Sequence, residues 1–70
     1  MRYAIVIEHA GNNYSAYAPD LPGCVATGKS VATVKENMRE AIEFHLCGLR
    51  EDGVEIPPAA SKVEYVDVTV

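Results

Sequence analysis

The first half of the chain contains three short stretches in which apolar residues recur at every second position, a period typical of β-strands. These stretches are residues 1–8, 14–18 and 24–28. In the first, Tyr3, Ile5 and Ile7 share one face while Ala4 and Val6 share the other, a pattern that suits a strand covered on both sides. A Gly-Asn-Asn turn separates the first two stretches, so these strands are predicted to pair antiparallel.

The pattern changes to a helical period in residues 31–51, where an apolar stripe repeats every three to four positions. The stripe consists of Val31, Val34, Met38, Ala41, Ile42, His45 and Leu49. Ser30 is a suitable N-cap, and Gly53 suits the left-handed residue that follows a helix. Gly48 lies on the buried side, and we expect it to allow a close approach of the helix to a strand.

Alternation returns in residues 63–70, after a proline-containing return loop over residues 54–62. Val66, Val68 and Val70 share one face there, which predicts a fourth strand. A right-handed crossover would lay this strand parallel to the first. The predicted fold is therefore α+β with the element order β-β-β-α-β. It consists of a three-stranded antiparallel meander, a fourth strand that extends the sheet to the order 3-2-1-4, and one long helix on one face.

The predicted first and last strands carry apolar residues on both faces, although one helix can cover only one face of the sheet. The uncovered face and the exposed edge strand are therefore candidate binding surfaces. The alternative is that these are scattered surface residues without a special role. Phe44 and Cys47 lie away from the apolar helix stripe. Together with Val66 and Val68 they are predicted to form a homo-oligomer interface, because a domain this small buries little surface by itself.

The composition is that of an ordinary globular protein, and residues 1–70 are predicted to form one domain without a linker to a second. The formal charge is −4, and the six basic residues are scattered, which argues against nucleic-acid binding and favours a basic partner. The two cysteines show no CxxC spacing and are expected to be free thiols in a reducing compartment. No apolar run approaches the ~20 residues of a membrane span, and the first residues do not resemble a signal peptide, so a cytoplasmic location is predicted.

Four side chains could carry chemistry, but each has a simpler structural interpretation. His45 fits a hydrogen-bonded residue at the edge of the core, and His9 fits an exposed turn, because no other metal ligand or base is spaced to join them. Cys24 fits a small buried strand residue better than a nucleophile. Asp20 lies between two prolines and fits a turn or a partner-recognising carboxylate better than a general base. We therefore predict no enzyme activity, no metal site and no cofactor.

Three segments of the chain carry a recognisable combination of motifs. The run Tyr-Ser-Ala-Tyr-Ala-Pro-Asp-Leu-Pro-Gly-Cys-Val-Ala-Thr-Gly occupies residues 14–28 and is followed by the capping Ser30. Glu-Asn-Met-Arg-Glu-Ala-Ile-Glu follows at residues 36–43, and Glu-Asp-Gly with a later Ile-Pro lies within residues 51–57. In this order, the segments resemble the HicB-like antitoxin family, and the similarity covers about residues 3–68.

The resemblance implies a truncated RNase H-like fold without nuclease activity, because the first strand offers only Glu8 to a metal site. It also implies that the chain binds a HicA-type toxin, a small basic protein that cleaves RNA with a histidine, and occludes the active site of that toxin. The residues predicted to contact the toxin are Tyr17, Pro19, Asp20, Leu21, Pro22, Gly23 and Glu43.

Two other functions stay open at this point. One is a stand-alone oligomeric binding or scaffolding domain without a toxin. The other, less favoured by the residues, is a minimal metal-dependent nuclease that uses Glu8 or Asp20. Many members of the family carry a C-terminal helix-turn-helix or ribbon-helix-helix segment that binds operator DNA. Because nothing after the predicted fourth strand fits such a segment, the chain is expected to be a short stand-alone member without DNA binding.

Overall fold

The protein consists of a three-stranded antiparallel sheet with one helix against one face. The computed structural model describes residues 1–70. The elements are β1 (Val6–Ala10), β2 (Asn13–Tyr17), β3 (Val25–Gly28) and α1 (Val31–Glu51). The strands lie in the order β1-β2-β3, and α1 packs mainly over β3 and β2. As a result, the inner face of the edge strand β1 is only partly covered by the helix.

The predicted fourth strand is absent, so the β-β-β-α-β order with its 3-2-1-4 sheet and a parallel final strand is wrong. Residues 62–70 form no backbone hydrogen bond within the chain. They extend from the body, and the radius of gyration is 13.7 Å, against about 11 Å for a compact chain of this length. Alternation determines which residues can share a face, but a strand forms only where a neighbouring edge accepts its hydrogen bonds.

The first strand also begins later than the sequence pattern predicts, at Val6 rather than at Met1. Val6 lies opposite Tyr17, the last residue of β2, and Pro19 follows two positions later. Because proline lacks an N–H donor and the chain turns away from the sheet there, residues 1–5 have no neighbouring strand. The pairing of β1 therefore ends where the loop between β2 and β3 begins.

The predicted ends of the helix are confirmed. The Ser30 hydroxyl accepts a hydrogen bond of 3.0 Å from the Thr33 backbone N–H, as expected of an N-cap. At the other end, Gly53 has a φ of +70° and its N–H donates to the Arg50 carbonyl at 3.2 Å. This left-handed glycine is the residue type that most easily ends a helix.

The core lies between the sheet and the first half of α1. Its six buried residues are Ala16, Ala18, Leu21, Cys24, Val34 and Met38. The predicted helix stripe is confirmed at Val34 and Met38 and is wrong at Val31, which is exposed. Leu46, which lies outside the predicted stripe, packs against this core. A core this small leaves many apolar side chains at the surface.

The close approach of helix and strand occurs at Gly28, and not at Gly48 as the sequence predicts. A Cβ atom added to Gly28 would lie 2.7 Å from the backbone nitrogen of Val34, whereas one added to Gly48 would meet nothing within 4 Å. Gly28 ends β3 just before the Ser30 cap, where the chain folds back on itself. The position therefore requires a residue without a side chain for steric reasons.

Candidate functional site

The outer face of the sheet, opposite α1, carries a row of apolar side chains. Val6 pairs with Tyr17, and Tyr17 pairs with Val25, so the three residues lie side by side across β1, β2 and β3. Tyr17 is 43% exposed and Val25 is 64% exposed. No part of the helix covers this face, since the helix packs on the side of Ala16 and Ala26. The row is thus an apolar surface available to a partner.

The loop of residues 18–24 lies directly at the end of this row, between Tyr17 and Val25. Three backbone hydrogen bonds close the loop, from Ala18 N–H to the Cys24 carbonyl at 3.2 Å, from Leu21 N–H to the Ala18 carbonyl at 3.1 Å, and from Cys24 N–H to the Leu21 carbonyl at 3.1 Å. These bonds, with two prolines, hold the loop in one conformation. A preorganised loop loses little conformational entropy when it binds.

The predicted contact residues within the loop divide into a buried anchor and exposed positions. Leu21 is 0% exposed and belongs to the core, so its side chain is not accessible to a partner. Pro19, Pro22 and Gly23 are exposed, and Gly23 has a φ of +84° that favours glycine. We name the outer-face patch by six residues: the half-buried Val6 and the exposed Tyr17, Pro19, Pro22, Gly23 and Val25. The buried Leu21 side chain packs the loop of this patch against the core.

Asp20 is half-buried and connects the loop to a distant part of the chain. Its carboxylate accepts hydrogen bonds from the Ser61 backbone N–H at 3.0 Å and from the Ser61 hydroxyl at 2.8 Å. These two donors lower the pKa of Asp20 from its ordinary value, because they stabilise the charged form. The carboxylate predicted to recognise a partner therefore already holds the segment after the helix, although its charge remains near the outer-face patch.

The Asp20–Ser61 contact is expected to depend on pH. The folded-state pKa of Asp20 lies below the unfolded value, so its contribution to stability is complete above the unfolded pKa and is lost as the pH falls through the folded pKa. An NMR titration should show the Ser61 amide proton shifting with the ionisation of Asp20. Ser61→Ala removes the hydroxyl and keeps the backbone N–H. It should therefore raise the pKa of Asp20 only part of the way back to its ordinary value. A wild-type Asp20 that titrates at its ordinary value would contradict the contact.

Glu43, the remaining predicted contact, lies on the other layer of the molecule. It is exposed on α1 and forms an ion pair with Arg39 at 3.2 Å, and Arg39 also pairs with Glu36. The two partners raise the pKa of the Arg39 guanidinium, and the hydrogen bond to Arg39 lowers the pKa of Glu36. The structure therefore does not bring Glu43 together with the outer-face patch.

The four residues predicted to form an oligomer interface lie in two separate segments. Phe44, on α1, is 84% exposed, and Cys47 is exposed on the same helix. Val66 and Val68 belong to the extended C-terminal residues and are 82% and 75% exposed. All four side chains are thus accessible within one chain, but the helix pair and the C-terminal pair form different surfaces.

The remaining candidate side chains have structural surroundings. His9 packs against Tyr14 with ring centroids 4.9 Å apart, and His45 is half-buried on α1. Burial raises the pKa of the Cys24 thiol, which keeps it protonated and poorly reactive. Nowhere do three or more His, Cys, Asp or Glu side chains come close enough together to hold a metal ion. The helix α1 does not combine the length and the apolar composition that crossing a membrane requires.

Sequence reasoning missed three residues of the site, Val6, Val25 and Ser61. Val6 and Val25 each alternate with core-facing neighbours, so the period of two that predicted the strands also identifies them as outward-facing. Only the register shows that they flank Tyr17. Ser61 gives no such signal, because its contact with Asp20 joins residues 41 positions apart.

Comparison with known proteins shows the family to which the chain is similar. A family model described as "HicB_like antitoxin of bacterial toxin-antitoxin system" matches residues 3–69. An uncharacterised 14.9 kDa protein from the rep-hol intergenic region of Haemophilus phage HP1 is 36% identical over 67 residues. That alignment covers 96% of this chain and 50% of the phage protein.

Two shorter relatives match the chain over a smaller part of its length. A UPF0150 protein of Helicobacter pylori is 47% identical over 47 residues, which cover 67% of this chain and 65% of that protein. A UPF0150 protein of Archaeoglobus fulgidus is 43% identical over 47 residues, covering 66% of this chain and 68% of that protein. The chain thus spans about half of the phage relative and about two thirds of the other two. No solved structure is significantly similar to the chain.

Proposed function

We propose that this chain, which belongs to the HicB-like antitoxin family of bacterial toxin–antitoxin systems, acts by binding and occluding a small basic RNA-cleaving toxin of the HicA type. The resemblance identified from the loop and helix motifs is confirmed, because the family model covers nearly the whole chain. In this proposal the chain is a binding protein of the cytoplasm, and it has no catalytic role of its own.

The observation that carries the proposal is the outer-face patch. It combines an apolar row, formed by the half-buried Val6 and the exposed Tyr17 and Val25, with a rigid loop at one end of that row. Interfaces are enriched in aromatic side chains at their centre, and Tyr17 occupies the middle of the row. Three backbone hydrogen bonds already close the loop of the patch, which favours affinity because little conformational entropy of this loop is lost on binding.

Charge would assist the encounter with a basic toxin. The chain carries a net charge of −4, and Glu8 lies on the outer face next to the apolar row, opposite Ser15. Opposite charges on two partners raise the association rate, and this effect weakens as salt screens it. Glu43 would contribute only at long range, because it lies on the helix layer. We therefore expect Glu43→Lys to slow association at low salt and to change the dissociation rate little.

The experiment is a binding and inhibition assay with a purified HicA-type toxin. A Tyr17→Lys/Val25→Lys variant introduces two charges into the apolar row without removing any core residue. If these two side chains are central contacts, affinity should fall by about 100-fold or more, since each central contact is typically worth about tenfold or more. Inhibition of RNA cleavage should fall in parallel.

Phe44→Lys provides the matched control, because it places the same charge on an exposed aromatic position of the helix layer. This variant should bind the toxin as the wild type does. Equal loss of binding in both variants would indicate a non-specific effect of charge, and loss in Phe44→Lys alone would assign the toxin to the helix layer. Either result would contradict the proposed surface.

The second candidate function is a stand-alone oligomeric binding domain without a toxin. The exposed apolar side chains of the C-terminal residues, including Val66 and Val68, favour self-association. An RNA-cleaving toxin that neither binds the wild-type chain nor is inhibited by it would favour this function over the antitoxin role.

A further inference from the structure

The C-terminal residues form an unpaired strand-like segment. We name residues 63–70 the C-terminal segment. The Ser61 N–H donates to Asp20, and in residues 62–70, which follow it, no backbone group forms a hydrogen bond within the molecule. Val66 and Val68 share one face of the segment and are almost fully exposed. An extended segment with free donors and acceptors and an apolar face is a template for pairing with another chain.

A matching surface lies beside residues 1–5, which precede β1. A groove of about 650 Å³ separates this part of the chain from α1, and its apolar lining consists of Tyr3, Ile5, Ile42 and Leu46 together with two methionines. The groove exists because the helix packs mainly over β3 and β2 and leaves the β1 side open. Residues 1–5, on the same edge, form no backbone hydrogen bond. The edge therefore offers free hydrogen-bonding groups next to an apolar channel.

The charges of the two surfaces are complementary. Arg2 and Lys35 line the groove, and neither forms an ion pair, since the ion pairs of the molecule both belong to Arg39. The C-terminal segment carries Glu64 and Asp67, which are also unpaired. Glu43, which also lines the groove, is already paired with Arg39. A segment seated in the groove would therefore bring two free carboxylates to two free cations.

We propose that two copies of this chain exchange their C-terminal segments, so that each segment lies along the β1 edge of the other copy with Val66 and Val68 in the groove. The residues before the segment are held against their own body, since the Tyr3 hydroxyl donates to the Pro57 carbonyl at 2.6 Å and Asp20 holds Ser61. Beyond these anchors the segment leads outward, and the molecule is 48 Å long.

A two-fold symmetric exchange would fill the groove and pair the C-terminal segment of both copies at the same time. Each copy presents the same segment and the same groove, which is the self-complementary arrangement that closed dimers require. Pairing at an edge supplies main-chain hydrogen bonds, while alternate side chains enter the groove. The exchange concerns the inner side of β1, so it leaves the outer-face patch free and does not depend on the toxin proposal.

The test measures the assembly and the contact separately in the full chain. Sedimentation equilibrium should give a dimer, and the amides of residues 63–70 should exchange slowly with solvent. In a sample refolded from equal amounts of ¹³C-labelled and unlabelled chains, isotope-filtered NOEs should connect the methyl groups of Val66 and Val68 with those of Ile5 and Ile42. A monomer at all concentrations, with or without protected amides, would overturn the exchange.

Two substitutions distinguish the segment from the other exposed apolar surface. Val66→Lys/Val68→Lys should raise the dimer dissociation constant by about 100-fold or more, because two apolar side chains per copy would lose their burial. The monomer should still fold, because both side chains are exposed and are not part of the core of their own chain. Phe44→Lys should leave the dimer intact. A dimer that survives the first variant, or one that is lost in Phe44→Lys, would refute the exchange.

Discussion

Leu21→Ala is expected to remove about 2–5 kcal/mol from the free energy of unfolding, the usual cost of truncating a fully buried leucine. Leu21 is 0% exposed and is the largest of the side chains buried in the small core. Domains of this size have a total stability of only about 4–10 kcal/mol, at about 0.05–0.15 kcal/mol per residue. The variant should therefore lose a large share of its stability although the residue belongs to a loop.

The measurement is urea denaturation followed by circular dichroism, together with thermal melting. For a domain of this length each kcal/mol corresponds to a fall of about 4–8 °C in Tm. Phe44→Ala is the matched control, since it also truncates a large apolar side chain but at a position that is 84% exposed. It should change stability by no more than about 0.5 kcal/mol. Equal effects of the two variants would show that Leu21 is not a core residue.

Loss of the buried Leu21 side chain should also weaken binding through the outer-face patch. Leu21 N–H and the Leu21 carbonyl each form one of the bonds that close the loop, and the side chain holds this loop on the core. Leu21→Ala keeps these backbone bonds but removes the side chain that packs the loop on the core, so in the folded variant Pro19 and Pro22 should be held less firmly against the sheet. Binding through the loop should then weaken through its greater conformational entropy cost. The structure thus gives Leu21 a supporting role in place of the direct contact that the sequence predicted.

Gly28→Ala is expected to destabilise the protein by about 1–3 kcal/mol, the usual cost of overpacking. The new methyl carbon would lie 2.7 Å from the Val34 backbone nitrogen and 3.0 Å from the Val34 Cα atom. Both are backbone atoms of the helix, so relief requires the start of α1 to move away from β3. That movement would disturb Val34, which is buried in the core.

Gly48→Ala is the control for this substitution and should act in the opposite direction. A Cβ atom at Gly48 meets nothing within 4 Å, and the residue lies inside α1. Alanine favours a helix interior over glycine by about 0.5–1 kcal/mol, so this variant should be more stable than the wild type. Comparing the two variants by urea denaturation separates the steric contact from the intrinsic preference. Destabilisation by both would contradict the open surroundings of Gly48.

Features encoded by neighbouring residues were predictable from the sequence. The alternation of β1, β2 and β3, the cap at Ser30 and the glycine that ends the helix depend on contacts within a few positions. The loop of residues 19–23 was also identified as rigid, because two prolines and a glycine restrict its backbone. The family followed from the same motifs, since their order along the chain is itself a local property of the sequence.

Features that join distant parts of the chain were decided only by the tertiary structure. The sequence placed the close helix–strand contact at Gly48, but the path of the chain from β3 into α1 puts it at Gly28. It could not show that Asp20 holds Ser61, nor that Glu43 lies on the opposite layer from Tyr17.

The C-terminal segment gives the physical reason for this division. Alternation in residues 63–70 determined by itself which side chains would share a face, because successive residues of an extended chain point in opposite directions. Whether the segment becomes a strand depends on a partner edge, whose position results from the packing of α1 over β3 and β2. The sequence therefore determined three strands, one helix and the faces of their side chains, while the tertiary structure decided that the last segment stays unpaired and which edges and surfaces remain free to bind.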